Sequence, residues 1–518
     1  MVTATKAIYK PGVTERRRNV SPQNATAGPE PHRSDDEGIE AGLVEQHKQD
    51  KATFDKVDEK TPDGLGPIYN AQSCRECHQN PVSGAGSQIN ELRVGHRGTK
   101  GEFVFPEVPI VGDTIKGRTL INDRAICVEA QEHVPPGNEI RTKRLSLSIF
   151  GDGFVEAISD ASILAVRDRQ CDRNLPKLPG TAAICGIAQF VEILEKQGVN
   201  NQRLGRFGWK NQHASLLSFA ADAYLNEMGI TNRLQPDEFT NVCKPPVADK
   251  SDDTHVTEPN DTEDDITAFA RFMRATKVPP RVIPASDRAA IERGTDVFRS
   301  IGCAVCHVES FETVAPGTRL IDAGNDSLVV TEALGSKTIR PFSDFLLHDV
   351  GTGDGIALAP AEHYGPAVSR RLFREDGERL RARLSASALD AVVAGGNSQK
   401  GTNTSAAPPP VLDLDQRVNP VELRPLRDRD ECDPRHLATI NTPQQSGLHQ
   451  IIQCATNRLR TPPLWGIHQR SRVMHDGDSV RIEDAIARHK GEAAGVTQNF
   501  ERLSEAEKRD LLLFVGSL

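Results

Sequence analysis

Cys-x-x-Cys-His is spelled twice in this chain, as CRECH at Cys74–His78 and as CAVCH at Cys303–His307. No other feature constrains the fold so tightly. Two cysteines three apart on one helical turn put both sulfurs on the same side, and the His that follows lies beneath whatever they hold. The arrangement suits thioether attachment of the two vinyl groups of a haem, with the His nitrogen on the iron. A zinc knuckle or a redox dithiol also uses Cys-x-x-Cys. Zinc, however, wants a second Cys-x-x-Cys close by, and neither alternative explains the His. Two covalently bound c-type haems are therefore expected. Cys74, Cys77, Cys303 and Cys306 would be the anchors, with His78 and His307 as proximal iron ligands.

Six cysteines are left over: Cys127, Cys171, Cys185, Cys243, Cys432 and Cys454. An even remainder fits an oxidising compartment with up to three disulfides, against the alternative of buried free thiols. The short-range pairs Cys171–Cys185 and Cys432–Cys454 are the first to test. Haem attachment wants export, so a periplasmic location is expected, although residues 1–30 lack the apolar core of a secretory signal. No apolar run reaches the length of a membrane span. The net charge of −9 is spread along the chain. Its scattered arginines read as solvated helix faces, which argues against nucleic acid as a partner.

A length of 518 residues suggests two or more domains. Residues 1–60 read as a polar arm, 61–243 as a first haem unit and 244–265 as an acidic linker. Residues 266–518 read as a second haem unit with a loop-rich insertion over about 310–455. A calcium loop within the acidic linker is the weaker reading, because no ligand spacing is recognisable there. Short strands are expected in stretches such as EFVFPEVPIV. Before the second pentapeptide, Ile291, Gly294, Phe298 and Ile301 recur at helical spacing after a Ser-Asp cap. At the far end Ser504 and Glu507 form a capping box, and Leu511, Leu512, Val515 and Leu518 line one helix face. A helix leading into the pentapeptide and an amphipathic helix closing the unit is the layout of a class I cytochrome c domain. The expected fold is thus mainly α, with two such haem domains, long loop insertions and a few short strands.

The sixth iron position decides the chemistry: a second strong ligand makes an electron carrier, an open one a reactive site. In the segment from Ser479 to Lys490, Ile482, Ile486 and His489 share one helical face. His489 is therefore the candidate second ligand opposite His307, against the plainer reading of a packed core histidine. Met474 is its rival.

The stretches DGLGPIYNAQSCRECHQNP, GRFGWKNQ, GCAVCH and RTPPLWGIHQRSRVMHDG followed by IEDAIARHKGEA resemble the dihaem oxidoreductases of the bacterial dihaem cytochrome c peroxidase superfamily, over about residues 61–518. In that superfamily the distal ligand of the second haem follows the His of the His-Asp-Gly turn by fourteen residues, and counting from His475 gives His489. The peroxidases proper carry Met there, so His at this place departs from their pattern and implies a lower potential. The resemblance also implies a Trp between the haems, for which Trp209 is preferred over Trp465. It implies a distal acid downstream, and Glu227 lies nearest the expected spacing, though slightly off it; a solvated helix carboxylate is its plain alternative. Tyr224 is expected to line the same pocket. His348, in a second His-Asp turn, could contact a propionate or cap its loop. Together these imply reduction of hydrogen peroxide at the His78 haem, with electrons from a small cytochrome or cupredoxin relayed through the His307 haem. An oxygenase acting on an organic substrate with oxygen, and a non-catalytic dihaem electron carrier, are the alternatives.

Overall fold

The computed structural model describes residues 43–99, 101–196, 201–244, 259–358 and 456–518. Ten α-helices lie among the described residues: α1 Val44–Asp55, α2 Cys74–Cys77, α3 Asp152–Glu156, α4 Asp160–Cys171, α5 Leu216–Met228, α6 Asp265–Ala275, α7 Arg288–Ser300, α8 Ile482–Ala487, α9 Ala494–Glu501 and α10 Glu505–Val515. None of them is long and apolar enough to cross a membrane.

The mainly α expectation does not hold. The described residues are 31% helix and 16% strand, and they do not form a pair of class I cytochrome c domains. The difference lies largely between the first pentapeptide and α3. There the strand Asn90–Arg97 pairs antiparallel with Ile140–Leu145 over six residue pairs, and also with Phe103–Val104 and Leu120–Ile121. The sheet buries Val94, Ile121 and their neighbours against Leu225 of α5 and Phe239. Helical periodicity around the second pentapeptide says nothing about this stretch, whose polar and apolar residues alternate with a period near two.

Around the second pentapeptide the periodicity reads through. Ile291, Gly294 and Phe298 are the buried face of α7. The capping box of Ser504 and Glu507 starts α10. The two helices pack around a core that includes Phe298, Phe342, Leu511 and Phe514. Asp287 stands at the N-cap of α7 but makes no side-chain cap bond. The helix expected over 479–490 is only the six residues of α8, and His489 follows its end.

Helix α1 falls inside the stretch expected to be a polar arm. It buries His47, Asp50 and Phe54, and Arg271 of α6 grips Asp50 in a bidentate pair, Nη2 to Oδ1 at 2.6 Å and Nε to Oδ2 at 3.0 Å. A larger core gathers Phe54, Val155, Leu217, Phe272, Phe345 and Trp465. Disulfides join Cys171 to Cys185 and Cys127 to Cys243; Cys432 and Cys454 lie outside the described residues, as does most of the acidic linker.

Gly294 is where α7 and α10 touch: a Cβ placed there would lie 2.0 Å from the carbonyl oxygen of Asp510 and 2.8 Å from Cβ of Phe514. Backbone cannot yield as a side chain does. Gly294→Ala is expected to destabilise the fold by about 2 kcal/mol, even though Ala is the better helix former by about 1 kcal/mol. Urea unfolding measures this, and an unchanged or raised midpoint would contradict the close approach.

Candidate functional site

The short helix α2 is started by Ser73, whose hydroxyl accepts from the Glu76 amide, and it carries Cys74 and Cys77 directly into His78. A cavity of about 360 Å³ opens here, lined by Cys74, Cys77, His78, Trp209, Tyr224 and Glu227 among others. That volume falls in the range of small-molecule sites, about 300–1,000 Å³. Burial pushes the His78 ring down to about 4, so it is a neutral imidazole with a lone pair to give.

Cys303 and Cys306 sit on the turn after α7. His307 Nδ1 lies 3.0 Å from the carbonyl oxygen of Phe342, and His489 Nδ1 lies 2.7 Å from that of Ala485. Each bond makes Nδ1 the donor and leaves Nε2 free to ligate. The two rings face one another at a centroid distance of 6.5 Å. Two imidazoles on opposite sides of one metal ion, bonded at about 2.0–2.1 Å, would set their centroids roughly 6.5 Å apart. Burial lowers the pKa of both, that of His307 to about 4. Met474 occupies a left-handed turn position at φ 70°.

The eight described cysteines divide by chemistry. Four are paired in disulfides, and the four that keep free thiols are those of the two pentapeptides. Burial pushes the Cys77 and Cys303 thiols up to about 12 and raises those of Cys74 and Cys306 as well. A neutral sulfur in apolar surroundings suits a thioether, which carries no charge. These donors fit haem at both places.

In the cavity wall Glu227, on α5, accepts from Asn70 Nδ2 at 2.7 Å. Burial, and then the charge of Glu91, raises its pKa to about 8. Glu91 is held the opposite way. Burial opposes its charge, but Arg93, and to a lesser degree Arg144, outweigh burial and keep it below the usual range. Arg93 grips it at 2.8 and 2.9 Å. The result is a carboxylate hydrogen-bonded to a carboxylic acid. Tyr224, one turn before Glu227, also lines the cavity.

Trp209 is buried in the same wall and donates from Nε1 to the carbonyl of Leu145 at 2.8 Å. Its ring meets that of His475 edge-on at 6.1 Å. Leu145 in turn donates its amide to the His475 carbonyl at 2.6 Å. Next to His475, Asp476 pairs with Arg488, the neighbour of His489. A continuous series of contacts therefore runs from the cavity to the facing histidines. Trp465 instead packs in the main core, against the backbone of Gly151.

His348 is away from the cavity. It lies between Asp344, 2.8 Å from Nε2, and Glu492, 2.9 Å from Nδ1, with the Cys306 sulfur at 3.9 Å. Burial pushes the ring down, while the Asp344 and Glu492 carboxylates beside it raise its pKa.

A family model described as "Di-haem oxidoreductase, putative peroxidase" matches residues 137–362 and 446–518, more than half of the chain. The chain belongs to this family. Membership implies haem cofactors. The matched residues include Trp209, Glu227, the second pentapeptide and His489, whereas the first pentapeptide lies upstream of them. No curated protein sequence matches the chain. Among solved structures, a chain of Kuenenia stuttgartiensis hydrazine synthase aligns at 14% identity over 100% of this chain and 99% of its own. Its TM-score of 0.34 is too low to support any conclusion.

Sequence reasoning missed Glu91 and Arg93. Their i, i+2 spacing on a strand, which puts them on one face, was a usable signal. The meeting of Glu91 with Glu227 was not, since 136 residues separate them.

The raised acid has a stability signature. Between the carboxyl value of 4.5 and about 8, folded Glu227 keeps a proton that the unfolded chain releases. This contribution is present below the lower value and fades as pH rises towards the upper one. Glu227→Gln is therefore expected to gain stability relative to the unchanged protein across that window. Parallel urea unfolding at pH 5 and pH 8 checks this; an equal difference at both would place Glu227 with ordinary carboxylates.

Proposed function

We propose that this dihaem oxidoreductase reduces hydrogen peroxide to water, with c-type haems attached at Cys74 and Cys77 and at Cys303 and Cys306. The observation that carries the reading is the asymmetry of the two proximal histidines. His78 opens onto a cavity that holds a carboxylic acid, whereas His307 has a second imidazole opposite it. An open iron position suits a small oxygen species, and a closed one suits passing electrons.

The haem irons, when bound, would supply the peroxide-binding position and the redox equivalents. The chain's own residues do the rest. His78 would hold the iron of the reactive centre, and His307 and His489 would hold that of the other. Asn70 bonds Oε2 of Glu227 and leaves Oε1 to carry the proton, while burial and the charge of Glu91 keep that proton in place at neutral pH. Glu227 could then move a proton between the two peroxide oxygens as a general acid and base. Trp209 and His475 lie on the route between the centres. Electrons would come from a small cytochrome or cupredoxin. Two disulfides and two haem-attachment motifs together favour a periplasmic setting.

Mass spectrometry of protein matured with haem-attachment machinery is expected to find the polypeptide plus two haems. Cys74→Ala with Cys77→Ala should leave one, and the bare polypeptide mass would end the reading. With both haems in place, Glu227→Gln is expected to slow peroxide turnover by about 10²–10⁴-fold. Glu91→Gln removes the charge that raises Glu227, so the alkaline limb of the pH–rate profile should move to lower pH. A limb that stays where it was would separate Glu91 from the proton on Glu227.

A further inference from the structure

Trp209 and Tyr224 are both oxidisable rings in the wall of one cavity, but their hydrogen-bond surroundings differ. The indole faces a backbone carbonyl, which cannot keep a proton. The Tyr224 hydroxyl lies 3.2 Å from Asp58 Oδ2 and 3.2 Å from Asp265 Oδ2. One carboxylate is enough to satisfy the single proton of a phenol; here there are two. The ring is otherwise dry, 3% exposed and edge-on to Phe269 at 5.0 Å.

A phenol that loses an electron becomes a strong acid, so tyrosine is oxidised readily only where a base already touches its hydroxyl. Asp58 and Asp265 are such bases. Both are made more basic by burial, Asp265 reaching about 6. The Lys56 ammonium, 3.0 Å from Asp58 Oδ1, pulls the other way without cancelling this. A tyrosine with only a structural role would gain nothing from a second carboxylate whose own burial is costly.

We infer that Tyr224 is a one-electron donor to the haem site of this cavity, with Asp58 or Asp265 taking its phenolic proton. The inference rests on the proposed peroxide chemistry. Reduction of hydrogen peroxide to two waters takes two electrons and two protons. Tyr224 gives one electron and passes its own proton to a carboxylate. The second electron comes from the His307 site, and the protons that end on water come from solvent by way of Glu227. The external donor later returns the electron to the tyrosyl radical, which takes its proton back.

The test is freeze-quench electron paramagnetic resonance on the holoprotein, both haems attached, mixed with hydrogen peroxide. A tyrosyl signal is expected that narrows when the protein carries ring-deuterated tyrosine, and that is lost in a Tyr224→Phe protein with unchanged haem content. Asp265→Asn, which keeps the phenol, should weaken the signal. Peroxide consumed with no tyrosyl signal, or a signal that persists in Tyr224→Phe, overturns the inference while leaving the peroxidase reading intact. Holoprotein that consumes no peroxide overturns both.

Discussion

Neutral imidazole in a dry interior is the condition on which the candidate site depends. Burial lowers the pKa of His78, His307 and His489 alike. An exposed imidazole would share its lone pair with solvent protons near neutrality. At His307 and His489 a backbone carbonyl then selects the tautomer by taking the Nδ1 hydrogen. Helix α8 aims His489 because the carbonyl that orients it is the last turn's own, that of Ala485. On the facing side Phe342, packed between Phe298 and Phe514 in the core of α7 and α10, lends its carbonyl to His307.

The surrounding charges work in opposite senses at the two places. Near the second pentapeptide, the buried His348 ring is held on one nitrogen by Asp344 and on the other by Glu492. Gln170 adds a bond to Asp344 at 2.7 Å and another to the carbonyl of Val305, inside the pentapeptide itself. Such a cluster fixes geometry, because removing any member strands a buried charge at a cost of about 3–5 kcal/mol. In the cavity, Glu91 and Glu227 are a like pair, and one of them must stay protonated. The first cluster holds a loop still; the second keeps a transferable proton at neutral pH.

Much of this was legible in the sequence where the constraint is local. The pentapeptides announce themselves by spacing. Ile291, Gly294 and Phe298 gave α7, and the Ser504–Glu507 pair gave the start of α10, because helical periodicity and capping act within a few residues. Trp209, Tyr224 and Glu227 line one cavity with His78. The four-stranded sheet was under-read because its longest pairing joins Asn90–Arg97 to Ile140–Leu145 across some forty residues. Alternation along one strand does not identify its partner. The contact of Glu91 with Glu227, and of Tyr224 with Asp58 and Asp265, also depends on long-range packing that no spacing rule encodes.

That packing also joins the two candidate centres, which lie far apart in sequence. Leu145 ends the sheet strand Ile140–Leu145, and its carbonyl takes the Trp209 indole hydrogen while its amide bonds the His475 carbonyl. On either side Arg144 and Lys210 both hold the buried carboxylate of Asp354, at 2.8 and 2.7 Å. Trp209 is thus clamped through its chain neighbour Lys210, and Leu145 through Arg144, by one shared anion. Asp354 is kept ionised against burial by those two cations. An electron passing between the cavity and the facing histidines would cross rings whose separation cannot drift without breaking a buried salt bridge. The edge-on contact between Trp209 and His475 is thereby held in place by the same buried anion.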